Sequence, residues 1–263
     1  MLWTQCVEPR PFAARRLICF PHAGGSPYFF RSWARAFDGV EVHTVCYPGR
    51  AERFAEPCAS DLVVMARQVA DELIAAGDTR STALFGHSMG ATVAFEVACA
   101  LTEAGAGPSR LIASGARAPS LMVPDPAADT TWDDASIART LIELGGTDPE
   151  LLENQAFVKL VMPYIGADFR MLARYPGRTG RPLGCPVTAL VGASDPRVPR
   201  EEAAAWETVT GGPFRFHVLP GEHFYLADEP PFGIVGEVLL DRPVTTPGPA
   251  RPAGRPDRGP VSG

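Results

Sequence analysis

Gly86-His87-Ser88-Met89-Gly90 sets a serine between two glycines, each two residues away. The segment lies between an apolar run at 82–85 and a long apolar stretch that opens at Met89, so the chain must turn sharply from strand to helix. Such a turn strains the serine, lifts its hydroxyl above the sheet and leaves little room around it, which the glycines supply. A capping serine at an ordinary strand-to-helix turn would use some of the same residues, but both glycines and both flanking elements agree on a nucleophile. A serine hydroxyl needs a base to react. Of the five histidines, His43 and His217 fall inside strands, and the His87 side chain should leave the turn in another direction. His22 follows the first buried strand and is the second choice. His223 follows the run 214–219, at the strand edge where open α/β sheets build their sites, and is the expected base. Asp195 is the first acid after the run 187–191, and it falls between serine and histidine in the order Ser, Asp, His. It would hold the imidazole tautomer and stabilise the imidazolium. Asp168 falls within a helix, Asp228 follows the histidine, and Glu222 would have to fold back. The Met89 N–H, at a helix N-terminus, and the Ala23 N–H, beside Gly24-Gly25, are the expected donors to a tetrahedral oxyanion.

The elements that must position these groups can be read from apolar periodicity. Runs at 17–20, 40–47, 82–85, 111–114, 187–191 and 214–219 predict buried strands, and 2–7 a further edge strand. A helix capped by Ser60 should carry Leu62, Met65, Val69 and Leu73, ending at Gly77. A second, apolar nearly all round, should run from Met89 to Ala104, and a last one from near Pro230-Pro231. Strands alternating with helices imply an α/β fold with a mostly parallel central sheet flanked by helices. Residues 120–184 break the alternation and read as three helices. The first carries Ile137, Leu141 and Leu144. The second opens at Asp148-Pro149 and carries Leu152, Phe157 and Val161. The third follows Pro163 and carries Ile165, Phe169 and Leu172. A helical insertion of this size is expected to be a lid, between a first core part at 1–119 and a second at 185–242. The Pro-, Gly- and Arg-rich tail at 243–263 cannot bury enough to offset ordering entropy and is expected to be disordered.

A chain of 263 residues with 46 % hydrophobic and 21 % charged residues has an ordinary globular balance. A formal net charge of −6 argues against nucleic-acid binding. The six cysteines show no metal-ligand or CxxC spacing, so no metal site is expected and a reducing cytoplasm is. No apolar run approaches the length of a membrane span, and the N-terminus lacks a secretion signal.

Taken together, several segments carry a family resemblance. They are Cys19-Phe20-Pro21-His22-Ala23-Gly24-Gly25, Tyr47-Pro48-Gly49-Arg50 with Glu56-Pro57, Phe85-Gly86-His87-Ser88-Met89-Gly90, Gly192-Ala193-Ser194-Asp195-Pro196 and Gly221-Glu222-His223-Phe224. In the insertion, Gly145-Gly146-Thr147 and Ala167-Asp168-Phe169 also look familial. The chain resembles the type II thioesterases that accompany polyketide and nonribosomal peptide synthases, from about residue 17 to residue 240. It is also similar to the medium-chain acyl thioesterases of fatty-acid synthesis. Tyr47, where an aliphatic or polar residue is expected, and the tail depart from the pattern. The resemblance implies an α/β-hydrolase fold with Ser88, Asp195 and His223 as a triad. It implies hydrolysis of acyl groups from the phosphopantetheine arm of an acyl or peptidyl carrier protein, in trans. No cofactor is required, and the protein is expected to act as a cytoplasmic monomer with no membrane or nucleic-acid partner. The acyl chain would lie under the lid against Ile165, Phe169 and Leu172. Arg170, Arg174, Arg178 and Arg181 are either a docking patch for an acidic carrier or a solvated helix face. A medium-chain acyl thioesterase, a small-ester carboxylesterase and a non-catalytic binding protein are the alternatives.

Overall fold

The computed structural model describes residues 2–78, 81–145 and 149–240. The tail at 243–263 and the helix cap expected at Asp148 lie outside the described residues. Seven strands form one sheet: β1 (Thr4–Cys6), β2 (Arg15–Phe20), β3 (Val40–Val45), β4 (Ser81–His87), β5 (Arg110–Ser114), β6 (Val187–Gly192) and β7 (Phe214–Leu219). Their order is β1-β3-β2-β4-β5-β6-β7. Every pairing is parallel except that of β1 with β3.

The central strands are apolar without alternation because both faces are covered. Ile18, Phe20, Leu84, Leu111 and Ala113 bury against helices α1 (Leu62–Ala75) and α2 (Met89–Glu103) on one face. Leu17, Cys19, Ala83, Phe85, Ile112 and Leu190 bury on the other. Burying a large apolar side chain contributes roughly 1.5–3 kcal/mol, so the central strands are the most strongly held part of the molecule. The α1 cap is Asp61, whose side chain accepts the Val64 N–H, and not Ser60; a carboxylate also favours the positive end of the helix. β4 runs two residues past the expected end. Gly86 pairs with Phe20 and Ala113, and His87 with Ser114, so the turn into α2 is compressed onto Ser88. The segment Pro27–Arg35 is a 3₁₀ helix that periodicity did not reveal. Phe30 and Trp33, three residues apart, drive it into the second face of the core.

Among the described residues, four α-helices lie between β5 and β6: α3 (Ala128–Thr131), α4 (Asp134–Glu143), α5 (Pro149–Glu153) and α6 (Gln155–Ala173). The expected break at Pro163 is absent. One 19-residue helix passes through it, and Leu152 is left in the separate α5. Asn154 caps α6 by accepting the Ala156 and Phe157 N–H groups. Val161 and Met162 before the proline share one cluster with Ile165 and Phe169 after it, and with Ile137 and Leu141 of α4. That shared burial holds the chain helical despite the missing N–H. α7 (Arg200–Ala204), α8 (Tyr225–Asp228) and α9 (Phe232–Leu240) follow β6, and Val235, Val238 and Leu239 of α9 cover the second face. Among the described residues, no helix is long and apolar enough to cross a membrane.

Candidate active site

Ser88 is one of two non-glycine residues with positive φ among the described residues, at φ 55° and ψ −123°. This strained position is held by the Ser88 N–H, which donates to the Ser114 carbonyl at 2.8 Å, and by close packing of both glycines. A Cβ on Gly86 would come within 2.2 Å of the Gly90 carbonyl oxygen, and one on Gly90 within 2.0 Å of the Phe20 carbonyl oxygen. No other residue fits either place.

His223 brings Nε2 to 3.1 Å from Ser88 Oγ, and its Nδ1 lies 2.8 Å from Asp195 Oδ2. The imidazole and the carboxylate are both buried. Asp195 Oδ1 accepts the Arg197 and Val198 N–H groups, which leaves Oδ2 for the histidine. One carboxylate thus caps its own loop and orients the imidazole. The loops after β6 and β7 are tied together: Ala193 N–H donates to the Leu219 carbonyl and Ser194 N–H to the Gly221 carbonyl. A Cβ on Gly192 would meet the Glu222 carbonyl oxygen at 2.2 Å, so that glycine allows the approach of the histidine loop.

His87 and His22 lie near this chain but outside it. The His87 Nδ1 bonds the Ser114 hydroxyl at 2.9 Å, and that hydroxyl bonds the Tyr225 hydroxyl at 2.7 Å. Burial, aided by the neighbouring imidazoles, holds the His87 pKa well below the ordinary histidine value. Burial, then the nearby His223 and Arg50 charges, lowers that of His22 to about 3. His22 packs edge-on against Phe29 and Phe224, with ring centroids 4.7 Å away in each case. Both histidines are therefore neutral near pH 7. The Ser114–Tyr225 support of His87 carried no sequence signal, because neither residue stands in a motif.

Ser88, Met89, Ala23 and His223 line a cavity of about 350 Å³ between the sheet edge and the insertion. Phe169 and Leu172 line it too, with Trp132, Leu144, Met122 and Thr92. Ile165 does not. It lies a turn deeper and packs on Gly24, where a Cβ would be 2.9 Å from its Cγ1; the helical stripe that holds all three residues turns from cavity to loop along its length. Met89 opens α2, so its N–H has no acceptor within the helix. The basic cluster is largely consumed internally. Arg174 pairs with Asp129, Arg178 with Glu96 and Glu103, and Arg170 donates to the Trp132 carbonyl. Those three are therefore structural contacts and not an open patch.

A serine, an imidazole and a carboxylate in hydrogen-bonded sequence beside free N–H donors can carry out nucleophilic acyl transfer. Among the described residues, one further group could offer metal ligands, Cys6, Glu41 and His43. It lies on β1 and β3, and Glu41 there already holds the His43 Nε2 and the Arg10 N–H.

Residues 15–238 match the family model described as "Thioesterase domain". The chain is 41 % identical over 230 residues to "Thioesterase PikA5" of Streptomyces venezuelae, covering 87 % of this chain and 81 % of that one. It is 40 % identical over 225 residues to "Probable cadicidin biosynthesis thioesterase" of Streptomyces griseus. That match covers 85 % of this chain but 62 % of the relative, so the chain spans under two thirds of that protein's length. The solved structure of the type II thioesterase BorB from the borrelidin biosynthetic cluster superposes with a TM-score of 0.81 at 37 % identity, covering 90 % of this chain and 97 % of that one.

Proposed function

As the chain belongs to the thioesterase family, we propose that it is a stand-alone type II thioesterase that removes acyl groups from the phosphopantetheine arm of a carrier protein in polyketide or nonribosomal peptide synthesis. The observation that carries this reading is the bonded series Ser88–His223–Asp195 opening on a cavity that Ala23 and Met89 also line. The relatives in biosynthetic clusters point to the carrier-borne substrate. Ser88 Oγ attacks the thioester carbonyl while His223 Nε2 takes its proton. Asp195 holds the resulting imidazolium. The Ala23 and Met89 N–H groups receive the oxyanion. As the tetrahedral adduct collapses, the C–S bond breaks and His223 returns the proton to the pantetheine sulfur. A water molecule, deprotonated by His223, then attacks the acyl-enzyme carbonyl; as the adduct collapses the bond to Ser88 Oγ breaks, His223 returns the proton to Oγ, and the acid is released. No step calls for a metal or an organic cofactor. The reading places the enzyme in the cytoplasm as a monomer; six cysteines without a disulfide are in keeping with that compartment.

The test is intact-mass analysis of an acyl-loaded carrier protein incubated with the wild type and with Ser88→Ala. The wild type should strip the acyl mass, and the variant should be slower on the order of 10⁶-fold. An unchanged carrier with both proteins, despite labelling of Ser88 by a fluorophosphonate, would shift the substrate to a free ester. Failure to label Ser88 would remove the hydrolase reading altogether.

A further inference from the structure

Several backbone groups of the loop 21–25 are held by named partners. The Tyr47 hydroxyl donates to the Pro21 carbonyl at 3.0 Å, and the Gly25 N–H to the His22 carbonyl at 2.9 Å. The Gly25 carbonyl accepts from Arg50 Nη1 at 3.2 Å. The Gly24 N–H donates to Asp168 Oδ2 at 2.8 Å. The Ala23 N–H has no partner among the described residues and belongs to a residue that lines the cavity.

Asp168 does not belong to the sheet framework. It comes from α6, and it reaches 144 residues back along the chain to Gly24. Its two oxygens are gripped by Arg50, with Nη1 at 2.5 Å from Oδ2 and Nη2 at 2.7 Å from Oδ1. Both side chains are at most 4 % exposed. A buried carboxylate without a partner would neutralise. The planar guanidinium fixes both carboxylate oxygens and leaves Oδ2 a directed acceptor for the Gly24 amide. The same helix adds a steric stop. Ile165, one turn before Asp168, rests on Gly24, whose φ of +77° and lack of a side chain let the helix come that close.

We infer that Asp168, oriented by Arg50, is a positioning residue for the oxyanion site: it fixes the Gly24 peptide so that the neighbouring Ala23 N–H stays aimed into the cavity. The lid helix thereby sets the geometry of the sheet-borne oxyanion loop. This rests on the Ala23 N–H having the role proposed above. A purely structural ion pair, one that only bolts α6 to the core, makes a different forecast.

The test compares two double variants that both remove the buried charges. Arg50→Met with Asp168→Leu replaces the pair by apolar groups, a change that need not destabilise, but leaves the Gly24 N–H without an acceptor. Arg50→Met with Asp168→Asn keeps an acceptor oxygen. The first should lose about 10²-fold in kcat, with KM changed far less, as for loss of one oxyanion donor. The second should regain part of that loss at a similar melting temperature. Affinity for an acyl trifluoromethyl ketone, whose adduct with Ser88 carries an anionic oxygen, should fall in parallel with kcat. If the apolar pair folds and keeps wild-type kcat and ketone affinity, the inference is overturned. Should it not fold, Arg50→Lys serves: it keeps the charge but loses the fork. It should lower kcat and ketone affinity together by about tenfold, a fraction of the ~10²-fold cost of a misplaced group, and unchanged values would be equally fatal. A wild type that neither turns over nor traps the ketone would instead remove the underlying functional reading.

Discussion

At the scale of single residues, the site contains three imidazoles, and burial sets the protonation of two of them, His22 and His87. The rings of His87 and His223 lie 5.1 Å apart, and those of His22 and His87 6.0 Å. Were all three charged together, mutual repulsion would empty the site of its base. Burial holds His22 and His87 neutral instead. This has a consequence for stability. Below the ordinary histidine pKa of about 6.5 the unfolded chain takes up a proton at residue 22, whereas the folded protein does so only at about 3. Between those values the unfolded state binds one more proton, so stability falls as pH falls, by ~1.4 kcal/mol per pH unit for such a group. The stability is whole above about pH 6.5 and lost progressively down to the folded pKa. His22→Phe keeps the edge-on contacts with Phe29 and Phe224 but cannot titrate. Urea unfolding of the two proteins across the acid range should show a shallower pH slope for the variant by about one proton; superimposable slopes would show that His22 is not held neutral by the fold.

At the scale of elements, α6 carries its own flaw. Pro163 is exposed and lies eight residues into a 19-residue helix, while the residues around it are buried on a single face. Pro163→Ala removes no buried surface and restores an N–H donor, so the helix should gain up to ~3 kcal/mol. A thermal melt should move upward by several degrees; a lower melting temperature would mean that the proline relieves a strain elsewhere. The same helix shows where sequence reading reaches its limit. A proline inside a periodic stretch is a local signal for a break, but the burial of Val161, Met162, Ile165 and Phe169 in one cluster is a tertiary fact. The central strands were legible because they are apolar on both faces, and β2 and β6 stop at Pro21 and Gly192. The turn at Ser88 was legible because its two glycines are demanded by contacts under 2.5 Å. Asp168 reads as a lid residue with no visible task, since its partners Gly24 and Arg50 lie 144 and 118 residues away in the chain. The 3₁₀ segment at Pro27–Arg35 escaped for a related reason: two aromatics three residues apart fit several short conformations, and only the core they fill selects one.

At the scale of the whole molecule, the cavity belongs to two parts of the chain that meet only in the folded state. The sheet contributes Ser88, Met89, Thr92 and His223, through the C-terminal ends of β4 and β7 and the helix that follows β4. The insertion contributes Trp132, Leu144, Phe169 and Leu172. It leaves the sheet after β5, the strand beside β4, and lines the same cavity as the nucleophile. The reacting atoms therefore come from the sheet and the walls from the insertion, and chain-length preference should change without loss of the reacting groups. Leu172→Ala enlarges the cavity on the insertion side. Each methylene newly accommodated in an apolar pocket is worth about 1–3 kcal/mol, or 10–200-fold in kcat/KM. The ratio of kcat/KM for a longer to a shorter acyl carrier substrate should therefore rise at least about tenfold. Ile165→Val is the matched control, because Ile165 faces Gly24 and not the cavity; it should leave that ratio unchanged while altering turnover equally for every chain length. Identical profiles for the wild type and Leu172→Ala would put the acyl group outside this cavity. A shift in preference caused by Ile165→Val would instead mean that the acyl chain reaches past Phe169 to the oxyanion loop.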